Sequence, residues 1–170
     1  QPQTTAELQT AVDLWVSDNA TALTSYGEIN TWDVSLITDM SELFLSKSTF
    51  NDGIGNWNVS NVTDMSYMFR AATSFNQDLS TWNVSNVINM LDMFAYTDAF
   101  NQDISGWDVS SVTNMETMFR ITNSFNQDIS MWDVSNVTNF LFMFIGANAL
   151  SDENKCAIQI FPLYWRNFGG

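Results

Sequence analysis

The chain has 170 residues, 45% of them hydrophobic, with 5 Lys plus Arg against 19 Asp plus Glu and a formal charge of −14. This much apolar material argues against disorder, and the negative field repels nucleic-acid phosphates and anionic membrane surfaces. There is no His and one Cys, Cys156, which removes the commonest general base, the Ser–His and Cys–His arrangements, an intrachain disulfide and a zinc site.

At the N-terminus, TTAELQTAVDLWV places Leu8, Ala11, Val12 and Trp15 at helical spacing. Thr5 is suited to cap this helix, with Glu7 in its first turn. The spacing predicts a helical cap within residues 1–28, covering the open end of a core. QPQTT has no signal-peptide character and reads as the start of a mature or trimmed product.

Residues 29–150 are a repeat. Trp32, Trp57, Trp82, Trp107 and Trp132 recur every 25 residues, and FNQD begins at Phe75, Phe100 and Phe125, with FNDG at Phe50. Each unit follows the frame I-x-x-W-x-V-S-x-V-x-x-M-x-x-M-F. Trp82 and Val84 are two apart, as on one face of a short strand. Ser85 is placed as a helix N-cap, and Val87, Met90, Met93 and Phe94 then form a stripe of two to three helical turns. One such unit cannot bury its own apolar face, but stacked units can. The pattern predicts an α/β solenoid: five strand–helix repeats with parallel strands about 4.8 Å apart on one face, and the I-x-x-W-x-V spacing of a leucine-rich-repeat strand.

Beyond the repeats, LSDENKCAIQIF predicts a second helical cap within 151–170, with Ser151 as N-cap, Asp152 and Glu153 in its first turn, and Pro162 ending it near Phe161. Cys156 reads as a small buried apolar residue. The apolar run at 140–150 is too short to span a bilayer. The whole chain is expected to be one domain.

Repetition converts residues into columns. Trp, Met and Phe are expected in the core. Asn51, Asn76, Asn101 and Asn126 are expected to form an amide ladder that pairs with backbone at a bend. Asp78, Asp103 and Asp128 must be solvated, bond local backbone N–H groups or share a cation, and calcium is the metal their oxygens suit; no other cofactor is expected. The strand face opposite Trp and Val carries Asp33, Asn58, Asn83, Asp108 and Asp133. Beside it run Thr31, Asn56, Thr81, Gly106 and Met131. These two columns are the candidate ligand-binding face, with Asp33, Asn58, Asn83, Asp108, Asp133, Asn56 and Thr81 as its residues. Sequons at Asn19, Asn58, Asn61, Asn83 and Asn136 arise mostly because the repeat spells WNVSNVT. Leu91, Leu141 and Phe142 depart from the apolar stripe, and the last two are expected to pack against the C-terminal cap.

WDVSNVTN at 132–139, FNQDIS at 125–130 and the 25-residue period resemble the BspA-like leucine-rich-repeat surface proteins of bacteria and some protists. That resemblance covers about residues 29–150. It implies a secreted or cell-surface protein that adheres to or binds other proteins, and it supplies no catalytic residues.

The expected function is therefore a non-enzymatic binding or adhesion module, a monomeric part of a larger surface protein. Its partner would be an extracellular protein or glycan, with no nucleic acid and no membrane insertion. One alternative is a structural, ice-binding or lattice-forming repeat. Another is a carbohydrate-active enzyme using paired carboxylates.

Overall fold

The computed structural model describes residues 1–157. Two helices open the chain, α1 (Thr5–Ser17) and α2 (Asn19–Tyr26). A 3-10 turn, Ile29–Thr31, leads into the repeats, and a short α3 (Asp152–Ala157) follows them. Residues 29–150 form five coils, each joined to the next by backbone bonds about one repeat apart. Examples are Met40 N–H to the Asp64 carbonyl (2.9 Å) and Thr63 N–H to the Thr38 carbonyl (2.8 Å).

The expected α/β leucine-rich-repeat-like solenoid does not form. Among the described residues there is no extended strand and no parallel sheet. The strand-like pairing consists of isolated parallel bridges, Asp39↔Asp64, Asp64↔Asn89, Asn89↔Asn114 and Asn114↔Asn139. No α-helix lies between residues 31 and 152. The coils are successions of tight turns, for reasons that the unit around Trp82 illustrates.

Trp82 N–H bonds the Leu79 carbonyl (3.0 Å) and Val87 N–H the Val84 carbonyl (2.9 Å). The segment taken for a strand is thus a short link between two turns. Asn83 Oδ1 accepts from Ser85 N–H at 3.2 Å, which curls the backbone out of the extended state. Ser85 therefore belongs to a turn and caps no helix.

The segment with the helical stripe departs from a helix for a different reason. Val87, Met90, Met93 and Phe94 are all buried, as the stripe requires. Yet Met93 N–H bonds the Met90 carbonyl and Thr97 N–H the Phe94 carbonyl, each three residues back. The N–H groups of Met90, Asp92, Phe94 and Tyr96 instead reach the carbonyls of Asn114, Glu116, Met118 and Arg120 in the next coil, at 2.8–3.0 Å. Asp92 and Tyr96 have φ of 53° and 60°, left-handed values that no right-handed helix contains. Apolar residues three apart face inward equally well from a helix and from chained i→i+3 turns.

This backbone recurs in every coil. Glu42, Ser46, Tyr67, Ala71, Thr117, Ile121 and Phe142 share the positive φ. In the fifth coil the second such position is Gly146 (φ 74°), where a Cβ would sit 2.8 Å from Ile121 Cγ1. In this part of each coil the inter-coil N–H groups point toward the C-terminal coils and the carbonyls toward the N-terminal ones.

The core is a set of aromatic columns. Phe44, Phe69, Phe94, Phe119 and Phe144 stack with centroids 5.2–5.8 Å apart. Phe50, Phe75, Phe100 and Phe125 form a second column at 5.8–6.3 Å. The Trp column is buried as expected. Each indole N–H from Trp57 onward donates to the carbonyl of the preceding coil's first apolar residue, as Trp82 does to Ile54 (3.2 Å) and Trp107 to Leu79 (3.0 Å). Burying one Trp removes roughly 150–250 Å², or at most about 4–6 kcal/mol.

The N-terminal cap matches expectation with one shift. Leu8, Ala11, Val12 and Trp15 are buried, but the capping residue is Thr4, which accepts from Glu7 N–H. Thr5 instead donates its hydroxyl to the Asp39 carbonyl (2.9 Å), and Gln9 Nε2 donates to the Leu43 carbonyl (3.2 Å). Helix α1 thereby supplies side-chain donors to carbonyls that have no preceding coil. Helix α2 is capped by Asp18. At the other end Ser151 Oγ accepts from Asn154 N–H at 3.2 Å, the expected N-cap of α3. The side chain of Cys156, the stop at Pro162 and the rest of the cap lie outside the described residues.

Candidate functional site

The polar columns are held in place by bonds within and between coils. The Asn ladder forms as expected. Asn76 Oδ1 accepts from Asn101 N–H (2.9 Å) and Gln102 Nε2 (2.9 Å) of the next coil. Asn51 and Asn101 do the same for Asn76 with Gln77 and for Asn126 with Gln127. Asn126 ends the ladder by accepting from Ser151 N–H and Asn154 Nδ2.

Asp33, Asn58, Asn83, Asp108 and Asp133 lie in register and exposed. Each uses Oδ1 to accept from the N–H two residues on, at 3.0–3.2 Å, from Ser35, Ser60, Ser85, Ser110 and Ser135. The outer Oδ2 or Nδ2 atom of each makes no such turn bond. In the neighbouring column Thr81 Oγ1 donates to the Gly55 carbonyl (2.7 Å), and Asn56 N–H donates to Asn30 Oδ1 (3.0 Å). Met131 projects outward with 86% of its surface exposed. The sequence thus brings these residues together on one side of the stack, on turns where strands were expected.

Asp78, Asp103 and Asp128 also sit in register, and each accepts from the Ser N–H two residues on (2.8–2.9 Å). Among the described residues no three acidic side chains gather closely enough to hold a metal ion. The Ser bonds pull these carboxyls below their ordinary range. The Ser80 and Ser130 N–H groups act most strongly on Asp78 and Asp128, and the Ser105 hydroxyl on Asp103. The charge of Asp103 pushes Asp78 upward more weakly than Ser80 holds it down. Asp33, Asp108 and Asp133 are lowered in the same way, first by the hydroxyls of Ser35, Ser110 and Ser135. Carboxyls held low stay ionised at neutral pH. They are poor general acids, since that role calls for a raised pKa.

Three columns escaped sequence reading. Asp39, Asp64, Asn89, Asn114 and Asn139 form a further turn column at the inter-coil bridges. Asn89 Nδ2 bonds Asp64 Oδ2 (3.1 Å) and Asn114 Nδ2 bonds Asn89 Oδ1 (3.2 Å). The recurrence of Asp or Asn every 25 residues was the available signal. Thr38, Thr63, Thr113 and Thr138, with Ile88 in the middle, make an exposed row. The Thr63 and Thr138 hydroxyls donate to the preceding coil's carbonyls at 3.1 Å. Finally, Arg70 lies over the rings of Tyr67 (5.6 Å) and Tyr96 (5.8 Å), and Arg120 over Tyr96 (5.4 Å). These residues come from variable positions, so no motif announced them.

Together the coils and their side-chain ladders define a stacked-coil repeat protein. The chain matches a family model described as "Mycoplasma protein of unknown function, DUF285" over residues 12–120 and again over 82–159. It belongs to that family. The leucine-rich-repeat assignment is corrected accordingly, both by the turn-built coils and by this membership. No curated protein and no solved structure matches the chain.

Proposed function

We propose that the chain is a non-enzymatic binding module whose exposed polar face recognises an extracellular protein or glycan. One observation carries the reading: a uniform scaffold beside a column that varies. The Asx column keeps one Oδ1 acceptor and one backbone bond in every coil, while the adjacent exposed column changes from Thr31 to Asn56, Thr81, Gly106 and Met131. Fold requirements explain the first column and leave the identities in the second unexplained. The absence of His and the lowered carboxyls also favour binding over acid–base catalysis. The resemblance of WDVSNVTN and FNQDIS to the BspA-like proteins points to the same class of role and to a cell-surface or secreted location.

The test is capture on an array of glycans and surface proteins, run with and without calcium. Alanine at Asn83 or Asp108 would break a turn, so the informative variants are Asn83→Asp and Asp108→Asn. Both keep the Oδ1 acceptor and change only the outward atom. A captured partner should be lost from the double variant, together with Thr81→Ala, while the circular dichroism stays unchanged. Undiminished capture by that triple variant would remove this face as the site.

A second reading, ice or lattice binding, is favoured by the Thr38, Thr63, Thr113 and Thr138 row, which repeats once per coil apart from Ile88. Thermal hysteresis by the intact protein checks it, and an ice crystal growing normally in its presence would dispose of it.

A further inference from the structure

The N-terminal cap does not sit flush on the first coil. A cleft of about 350 Å³ opens between the end of α1, the outer turn of α2 and the bend of coil 1, within the size range of small-ligand sites. Its walls include Trp15, Val16, Leu23 and Phe50, and its carboxylates are Glu28 and Asp52. Val16 and Leu23 are 37% and 41% exposed. Two of the large apolar side chains left in solvent therefore line this one cleft.

Coil 1 departs from the repeat at this place. The residue after the ladder Asn is Gln77, Gln102 or Gln127 in the next three coils, and each donates its amide to the preceding coil's Asn. Coil 1 has no preceding coil, and the position is Asp52. Its Oδ2 accepts from the Trp15 indole N–H at 2.9 Å, and its Oδ1 makes no hydrogen bond among the described residues. An amide oxygen could also have accepted from that indole, so this bond does not by itself require a carboxylate. Among the described residues no Lys or Arg lines the cleft. Lys47 is paired with Asp13 (2.6 Å), Arg70 with Asp92 (3.3 Å), and Arg120 lies on Tyr96. Among the described residues no cation pairs with Glu28 or Asp52, two exposed carboxylates beside an apolar wall in a protein of net charge −14.

We propose that this cleft binds a small organic ammonium ion. The ammonium would donate to the Asp52 and Glu28 carboxylates, and its hydrocarbon part would cover Val16 and Leu23. A metal ion fits less well, because two carboxylates, one already accepting from an indole, supply too few oxygens for calcium. This site is separate from the polar coil face, so either can fail without the other.

The test follows the Trp15 indole and Leu23 methyl resonances of the whole protein while 2-phenylethylammonium is added. Parallel titrations use neutral 2-phenylethanol and anionic 3-phenylpropanoate. The ammonium should bind most tightly and the carboxylate most weakly, and high salt should weaken the ammonium. Asp52→Asn keeps an acceptor for the Trp15 indole and removes the charge. It and Glu28→Gln should each lower ammonium affinity about fivefold, with melting temperature unchanged, and the double variant should lower it further. Leu23→Ser should weaken the ammonium and the alcohol alike. Equal affinity for ammonium and alcohol, unchanged affinity in the double variant, or no saturable shift at millimolar concentration would each overturn the proposal.

Discussion

Helix α1 and the coils carry nearly the same apolar rhythm and fold differently. In α1 the buried positions are Leu8, Ala11, Val12 and Trp15. In the coil around Trp82 they are Val87, Met90, Met93 and Phe94. The cap segment has no copy beside it, so its N–H groups must find carbonyls in their own turn of chain, and an α-helix results. In the first four coils each coil segment lies against a copy of itself 25 residues on. Its N–H groups at Met90, Asp92, Phe94 and Tyr96 bond that copy. The chain is then free to run through left-handed residues that an isolated helix would never adopt. Periodicity reports which residues face inward, while the source of hydrogen-bond partners decides the backbone that puts them there.

The largest effect should come from the columns that the cap lacks. Trp82→Ala removes a buried ring and its bond to the Ile54 carbonyl. It should cost about 3–5 kcal/mol and melt the neighbouring coils with it, as denaturant unfolding followed by far-UV circular dichroism would show. Loss confined to one coil, with the remaining coils at wild-type stability, would mean that the stack is not a cooperative unit.

Removing a ladder amide should cost less. Asn101→Ala takes away the acceptor for Asn126 N–H and Gln127 Nε2, and should cost roughly 1–3 kcal/mol. Asn101→Asp keeps an acceptor oxygen and should recover most of that stability in the same denaturation experiment.

A single substitution type separates the two regions by sign. Ala6 is exposed in α1, where Ala→Gly should destabilise by roughly 0.5–1 kcal/mol. Ala71 holds φ at 57°, where losing Cβ relieves about 1–2 kcal/mol of left-handed strain, partly offset by the greater freedom of the unfolded chain. Ala71→Gly should raise the melting temperature and Ala6→Gly lower it. Equal signs would contradict the backbone assigned to the coils.

The smallest effect is acid dependence. Asp108 and Asp133 titrate below their ordinary 3.8 because of Ser110 and Ser135. A carboxyl lowered in the folded state adds stability above its unfolded value, and that stability is lost as pH falls through the folded value. The melting temperature should therefore decline below about pH 4. A Ser110→Ala, Ser135→Ala double variant should lower the melting temperature at neutral pH and flatten that decline, whereas Thr4→Ala at the α1 cap should lower the melting temperature without changing the decline.

Much of this architecture was legible in the sequence. The 25-residue period, the buried Trp and Phe columns, the Asn ladder, the α1 core face and the Ser151 cap could all be read from spacing and residue chemistry. The strands and helices assigned to the coils could not survive, because Asn83 and its equivalents close turns at once, and Asp92 and Tyr96 are left-handed without being glycine. The candidate face was legible as a set of columns. The duty of its Oδ1 atoms in Ser-closed turns was not, since Asp and Asn serve equally well on a solvated strand. In the Tyr67, Arg70, Tyr96 and Arg120 stack only the Arg position repeats, in the second and fourth coils, and the two Tyr residues come from positions that differ in every coil, so the 25-residue period does not reveal it.

In the segment around Phe94, every second N–H group from Met90 to Tyr96 bonds the next coil, where a helix would bond each one four residues back in the same segment. Scalar couplings across hydrogen bonds in labelled protein test this directly. The expected result is a coupling from the Phe94 amide nitrogen to the Met118 carbonyl carbon, with matching pairs from Met90 to Asn114 and from Tyr96 to Arg120. A coupling from Phe94 to the carbonyl of Met90, four residues back, would mean that the segment is a helix and would contradict the account.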